Sequence, residues 1–222
     1  MNVSDILSKV DHTFLNPEAT WDNIKTLCDE AIEYKTASIC INSCFVKAAS
    51  DYLNGEIAIC SVVGFPLGAM STPAKAFEAK QAITDGAKEI DMVINIGKLK
   101  EKDYEYVLND IVAVKKAIGE NILKVIIETC LLSDDEKKKM CEIVAVSGAD
   151  FIKTSTGFST SGATFDDIKL FYDCIGGKIK IKAAGGIKTI DDMMKFIELG
   201  ADRLGTSRAI KIIKNSTIND NY

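Results

Sequence analysis

An α/β fold, a single-domain TIM (β/α)8 barrel over residues 1–214 with a short tail at 215–222, is predicted by three features of the chain. Short β-rich runs alternate eight times with helical stretches, the pattern of βα units on a parallel sheet. A six-residue step recurs, with Gly86-Ala-Lys-Glu-Ile-Asp91, Gly148-Ala-Asp-Phe-Ile-Lys153 and Gly200-Ala-Asp-Arg-Leu-Gly205 in alignment. The turn after the first strand, Leu15-Asn-Pro-Glu18, lacks the glycines that open a doubly wound nucleotide-binding sheet. Eight units averaging about 28 residues also suit a compact barrel, a fold whose usual size is roughly 250 residues.

In chain order the strands are expected at Lys9–Phe14, Ser38–Ile41, Ile57–Val63, Glu89–Ile94, Lys124–Glu128, Phe151–Ser155, Lys178–Ala183 and Arg203–Gly205. Helix starts are marked between them. Thr72-Pro73 offers an N-cap followed by a proline at the first helical position. Ser133-Asp-Asp-Glu136 is a capping box, and Thr164-Phe-Asp-Asp167 and Thr189-Ile-Asp-Asp192 have the same form with a terminal aspartate. Acidic first turns also suit the helix dipole. Each repeated Gly-Ala step places a glycine at a helix end, where left-handed geometry is needed, and then enters a strand. Asp91, Lys153 and Gly205 therefore hold equivalent places in three units.

Composition narrows the function. The chain is 47% hydrophobic and 27% charged, as in an ordinary globular protein. A net charge of −5 and a pI near 5.1, without a basic block, disfavour nucleic acid. The apolar runs are too short to span a bilayer, and the N-terminus lacks a signal-peptide core, so no membrane partner and a cytoplasmic location are expected. Seven cysteines without a C-x-x-C pair read as reduced thiols, with Cys40, Cys60, Cys130 and Cys141 as small core residues. His12 is the single histidine. Zinc spacing, Walker and G-x-G-x-x-G motifs are absent from the sequence, and a serine triad would rest on His12 alone. The chemistry is left to Lys, Asp, Glu, Cys or Tyr, with no metal or cofactor expected.

Strand interiors of a parallel barrel should be apolar, so charges there need a reason. Alternation puts Lys153 and Ser155 on one face, and Lys180 and Lys182 on one face opposite Ile179 and Ile181. The isoleucines suit the helix-covered outside, which turns these lysines inward. A lone strand lysine would be read as a solvated or paired end residue. Two on adjacent strands, with an inward Asp91, favour imine chemistry. Ammonium groups on strands about 4.8 Å apart repel, and a second cation is one way to activate a Schiff-base lysine. Lys180, lower in its strand, is given no role. The loops after strands seven and eight often hold phosphate in barrels. Here they read Ala184-Gly185-Gly186 and Gly205-Thr206-Ser207-Arg208.

These stretches also resemble a known family. Phe151-Ile-Lys-Thr-Ser-Thr-Gly157, Ile181-Lys-Ala-Ala-Gly-Gly186, Glu89-Ile-Asp-Met-Val-Ile-Asn95, Asp11-His-Thr13, Ser38-Ile-Cys-Ile41 and Gly64-Phe-Pro-Leu-Gly68 are similar to motifs of the deoxyribose-phosphate aldolases, nearly end to end. The resemblance implies a class I, Schiff-base lyase that reversibly cleaves 2-deoxy-D-ribose 5-phosphate to D-glyceraldehyde 3-phosphate and acetaldehyde, in deoxyribose phosphate catabolism. It implies Lys153 as the imine-forming residue, Lys182 as its neighbouring cation and Asp91 as the proton-relay carboxylate. Cys40, Asp11, Thr13 and Thr156 would contact substrate, and Gly157, Gly185, Gly186, Gly205 and Ser207 its phosphate. Phe158 stands where some members carry lysine, with Arg208 as the compensating cation. Tyr222 matches a terminal tyrosine implicated in proton transfer, and a homo-oligomer is implied as well. The alternatives are an aldolase for longer ketose phosphates, which needs more room around Cys40, and a non-catalytic phosphate-binding barrel. The latter would not need Lys153, Lys182 and Asp91 together.

Overall fold

The computed structural model of the chain describes residues 1–219. Tyr222 lies outside the described residues. A short helix α1 (Val3–Leu7) precedes the first strand, and eight strands follow with helices between them. They run β1 (Val10–Phe14), α2 (Trp21–Tyr34), β2 (Ser38–Ile41), α3 (Val46–Leu53), β3 (Ala58–Val63), α4 (Thr72–Thr84), β4 (Glu89–Val93), α5 (Ile96–Lys100), α6 (Tyr104–Ile118) and β5 (Ile122–Ile126). The second half continues α7 (Asp134–Val146), β6 (Phe151–Lys153), α8 (Phe165–Ile175), β7 (Lys180–Ala184), α9 (Ile190–Glu198), β8 (Arg203–Thr206) and α10 (Ala209–Asn219). The last helix runs through residues 214 and 215. Every strand pairs parallel with its sequence neighbour, and β8 closes on β1. This is the (β/α)8 barrel that the alternation implies.

All three repeat glycines have positive φ, at +116° for Gly86, +82° for Gly148 and +110° for Gly200. A Cβ on Gly200 would also sit 2.4 Å from Tyr172 Cδ2, so only glycine fits that turn. Ser133 caps α7 with a full capping box, and Thr189 does the same for α9. Thr164 accepts from Asp167 N at 3.1 Å. The α4 N-cap is Ser71 rather than Thr72, with Pro73 inside the first turn.

The apolar core lies between the outer barrel face and the helices. Ile39, Ile90, Met92, Leu123, Val125, Ile152, Ile181 and Leu204, all strand residues, belong to it, packed with Ile24, Val107, Ile111, Phe171 and Phe196 from helices. Burying each such aliphatic side chain contributes about 1.5–3 kcal/mol. The inner face is different. Asp11, Ser38, Glu89, Asp91, Lys124, Lys153 and Lys182 are all buried polar residues carried by strands, where barrels commonly stack Val, Ile and Leu.

Two strand expectations are corrected. β5 begins at Ile122, not Lys124, so Lys124 sits inside the strand and is fully buried. β6 ends at Lys153, and Thr154 to Thr156 begin the following loop. Lys180 is exposed at the start of β7, its Nζ 5.6 Å from the Phe151 ring centroid, instead of lying inside the barrel. Cys130 is half-buried in a single 3-10 turn (Thr129–Leu131) after β5, whereas Cys28 is a core residue. Among the described residues a further buried ion pair stands apart from the charges of the inner face: Lys75 of α4 meets Asp110 of α6 at 2.6 Å and donates to Val93 O at 2.9 Å. It joins the two helices behind the end of β4.

Candidate active site

Strand register brings the charged residues into one cluster. Lys153 pairs across the sheet with Lys182, Lys182 with Arg203, and Asp91 with Lys124. Asp91 is at the centre. Its Oδ2 accepts from Lys153 Nζ at 2.7 Å and from Lys182 Nζ at 2.6 Å. Its Oδ1 accepts from Lys124 Nζ at 2.9 Å and from Cys60 Sγ at 3.0 Å. Lys124 also meets Glu89 at 2.5 Å. Asp11 bonds Lys182, accepts from Ser38 Oγ at 2.7 Å and from Arg203 Nη1 at 2.5 Å.

The expected picture of two ammonium groups facing one another across neighbouring strands is corrected by this geometry. A carboxylate oxygen stands between Lys153 and Lys182, and two more cations complete the set. Burial opposes the charge on Lys182, but Asp11 and Asp91 outweigh it and hold the ammonium above the ordinary lysine range. Burial likewise opposes the charge on Lys124, and Asp91 leads the groups that hold it up. Asp91 is raised by burial yet kept well below the usual carboxylate range by Lys124, Lys153 and Lys182. Asp11 is kept low against the same penalty by Lys182, Lys124 and Arg203. Four cations face three carboxylates. With one lysine deprotonated the cluster balances, so one neutral amine is compatible with it. Lys153 meets a single carboxylate oxygen and retains 3% exposure, whereas Lys124 and Lys182 have none.

Above the cluster opens a cavity of about 430 Å³. Of the four cations only Lys153 lines it. Thr13, Thr156, Gly157, Gly185, Gly186, Gly205 and Ser207, all expected at the site, line it too. Cys40, Asp11, Asp91 and Lys182 do not line it and are fully buried beneath it. Asp11 is thus bonded to cations in the floor rather than placed at the cavity wall. Cys40 joins Leu15, Cys60, Val62 and Phe65 in a small apolar cluster. The hydroxyl of Thr13 donates to Asp11 O at 2.7 Å, and that of Thr156 donates to Glu128. Phe158 lines the cavity with its ring edge-to-face on Phe65, the centroids 5.3 Å apart.

The rim is made of backbone. Gly157, Gly185 and Gly186 have φ of +87°, +75° and +74°. The loop after β6 packs tightly on the turn after β7: Ala163 N donates to Ala184 O at 3.0 Å, and a Cβ on Gly162 would lie 2.3 Å from Gly185 C. Lys188 and Arg208 line the same end and are exposed. Such N–H groups and cations together suit a phosphate.

Sequence reading missed Lys124, Glu89, Arg203 and Lys188. Glu89 lies two residues before Asp91 on the same strand face, and that alternation was the available signal. Cys40, Cys60 and Asp91 place donor atoms within 4.8 Å of one another, a set able to hold a metal ion. Both Asp91 oxygens already accept from ammonium groups, which an ion would have to displace. A hydrogen bond with Cys60 favours the Cys40 thiolate, while burial pushes the Cys60 thiol up.

Comparison with known proteins agrees over the whole chain. Residues 6–212 match the family described as DeoC/LacD family aldolase. Deoxyribose-phosphate aldolase of Clostridioides difficile (strain 630) is 58% identical over 215 residues, covering 97% of this chain and 98% of the relative. The protein of the same name from Streptococcus agalactiae serotype Ia is 53% identical over 99% of both chains. Among solved structures, the tetrameric deoxyribose phosphate aldolase of Aeropyrum pernix superposes with a TM-score of 0.87 at 28% identity, over 97% of this chain and 92% of its own. Among the described residues no helix is long and apolar enough to cross a membrane.

Proposed function

The chain belongs to the DeoC/LacD family of aldolases, and from that premise we propose that Lys153 is the imine-forming residue of a deoxyribose-phosphate aldolase. The enzyme is a class I lyase that reversibly cleaves 2-deoxy-D-ribose 5-phosphate to D-glyceraldehyde 3-phosphate and acetaldehyde. One observation carries the residue assignment: Lys153 alone among the buried cations reaches the cavity, and it shares one Asp91 oxygen with Lys182.

The neutral Lys153 amine adds to the C1 aldehyde, and loss of water leaves an iminium. The C3 hydroxyl gives up its proton, the C2–C3 bond breaks, and its electron pair moves into the iminium to form an enamine. Glyceraldehyde 3-phosphate departs. The enamine takes a proton at C2, and hydrolysis of the resulting iminium frees acetaldehyde and Lys153. Asp91 Oδ2, bonded to both Lys153 and Lys182, relays the proton that the C3 hydroxyl gives up and the proton that C2 takes, and Asp91 and Lys182 regain their starting charges at the end of each cycle. Gly157, Gly185, Gly186, Gly205 and Ser207 hold the phosphate, with Arg208 and Lys188 beside it. Fixing that far end sets C1 to C3 over Lys153, converting the addition into an effectively unimolecular step. Thr13 and Thr156 border the sugar, while Cys40 and Asp11 support it from below. Neither has a surface on the cavity.

The protein works in the cytoplasm as a homo-oligomer. Support for assembly comes from the tetrameric Aeropyrum pernix relative, and light scattering after gel filtration tests it, a monomer ruling it out. For the reaction, the test is an end-point assay with a chelator present. The expected result is equal amounts of acetaldehyde and glyceraldehyde 3-phosphate, undiminished by the chelator. Activity abolished by the chelator and restored by a divalent metal would overturn the Schiff-base reading.

A further inference from the structure

The steps above leave one buried carboxylate on the cavity side of the barrel unused. Glu128 follows β5, is 2% exposed, and has φ of +55°. Residues other than glycine rarely take that conformation, and where they do the strain concentrates at functional sites. The described bonds to its carboxylate come from neutral groups. Thr156 N lies 3.2 Å from Oε1 and 3.3 Å from Oε2, Thr156 Oγ1 donates to Oε2 at 2.5 Å, and Cys130 Sγ is 4.0 Å from Oε1. Thr156 Oγ1, its proton committed to Glu128, accepts from Phe158 N at 3.0 Å. A directional chain thus runs from Phe158 through Thr156 to Glu128, and it passes Gly157.

Thr156, Gly157 and Phe158 line the cavity. Farther along, the same loop is locked to the Gly185–Gly186 turn by the Ala163 bonds and the close approach of Gly162. A tilt at Thr156 would therefore move two of the three rim segments together. We infer that Glu128 is a positioning residue for the phosphate end of the substrate, holding Thr156 so that the Gly157 backbone faces the cavity. This rests on the assignment of the rim to phosphate. A carboxylate is needed because both its oxygens accept. An amide with its oxygen in the Oε2 place would set its NH₂ 3.2 Å from Thr156 N, donor against donor, where the carboxylate shares that N–H between two accepting oxygens.

The test compares 2-deoxyribose 5-phosphate with unphosphorylated 2-deoxyribose in the full-length protein and in Glu128→Gln, Thr156→Val, the double variant and Thr156→Ser. The readout is the ratio of kcat/KM for the two substrates. Glu128→Gln should lower that ratio roughly tenfold or more, mainly through KM for the phosphorylated sugar. Thr156→Val should lower it similarly, the double variant no further than either single one, and Thr156→Ser should restore it. Equal losses on both substrates, or a lower Tm with an unchanged ratio, would make Glu128 merely structural and overturn the inference. Borohydride trapping of acetaldehyde on Lys153 in the unsubstituted protein is the control. Its absence would strike the assignment of the site and not the role of Glu128 alone.

Discussion

At the floor of the cavity, three buried lysines and the half-buried Arg203 are bonded to three buried carboxylates. At the rim, glycines leave backbone groups open to the cavity, and Lys188 and Arg208 stand exposed. Both regions serve charge, but by different means. The floor keeps a fixed set of side-chain charges out of water, where ions are expensive unless paired. The rim offers dipoles and screened cations to a charge that arrives with the substrate. Floor substitutions should therefore act on kcat and rim substitutions on KM.

The largest effect is expected from Lys153→Arg. A guanidinium keeps the positive charge beside Asp91 but cannot form the imine, so steady-state turnover should vanish while the folded circular dichroism signal persists. Measurable turnover would put the nucleophile elsewhere. Next comes Lys182→Leu. It removes a cation held above the ordinary lysine range and leaves Asp91 and Asp11 less compensated. The floor's charge balance, and with it the proton path across Asp91, is broken, so kcat at neutral pH should fall by roughly 10²-fold or more. Activity should recover in part as pH rises, because imine formation needs a neutral amine. A pH–rate profile parallel to that of the unsubstituted enzyme would remove Lys182 from the account.

Gly205 joins the two regions, because a Cβ there would lie 3.0 Å from Lys182 Cε and 3.0 Å from Ala184 Cβ. Gly205→Ala should disturb floor and rim together, lowering kcat and raising KM with a combined loss of roughly tenfold. A pure KM effect would place Gly205 in the rim alone. The smallest effect belongs to Arg208→Ala. An exposed cation contributes about 0.2–1 kcal/mol, so KM for the phosphorylated sugar should rise only about 1.4- to fivefold, and less at high salt. A change in kcat would blur the division between the regions.

The sequence made the barrel legible because its signals are local. Alternation, capping boxes and the glycine repeat each sit within a few residues. The buried cluster of Asp91, Lys153 and Lys182 was legible for a related reason: each is a charge set inside a mainly apolar strand. The rest of the floor was hidden. Lys124, Glu89 and Arg203 lie at or near strand starts, where a charge reads as a solvated end, and placing the fifth strand two residues late kept Lys124 out of the interior. Their meeting depends on closure of β8 onto β1, which brings Arg203 to Asp11 across 192 residues. The direct lysine–lysine repulsion failed for the same reason. It was drawn from two strands, whereas Asp91 reaches in from a third.

The division between a reacting floor and a holding rim depends on Lys153 being the one buried lysine that meets substrate. Intact-mass analysis after borohydride reduction with acetaldehyde, followed by peptide mapping, tests that directly. A single reduced adduct on Lys153, absent from Lys153→Arg, is the predicted result. An adduct on Lys182 or Lys124, or none from folded and active protein, would contradict it.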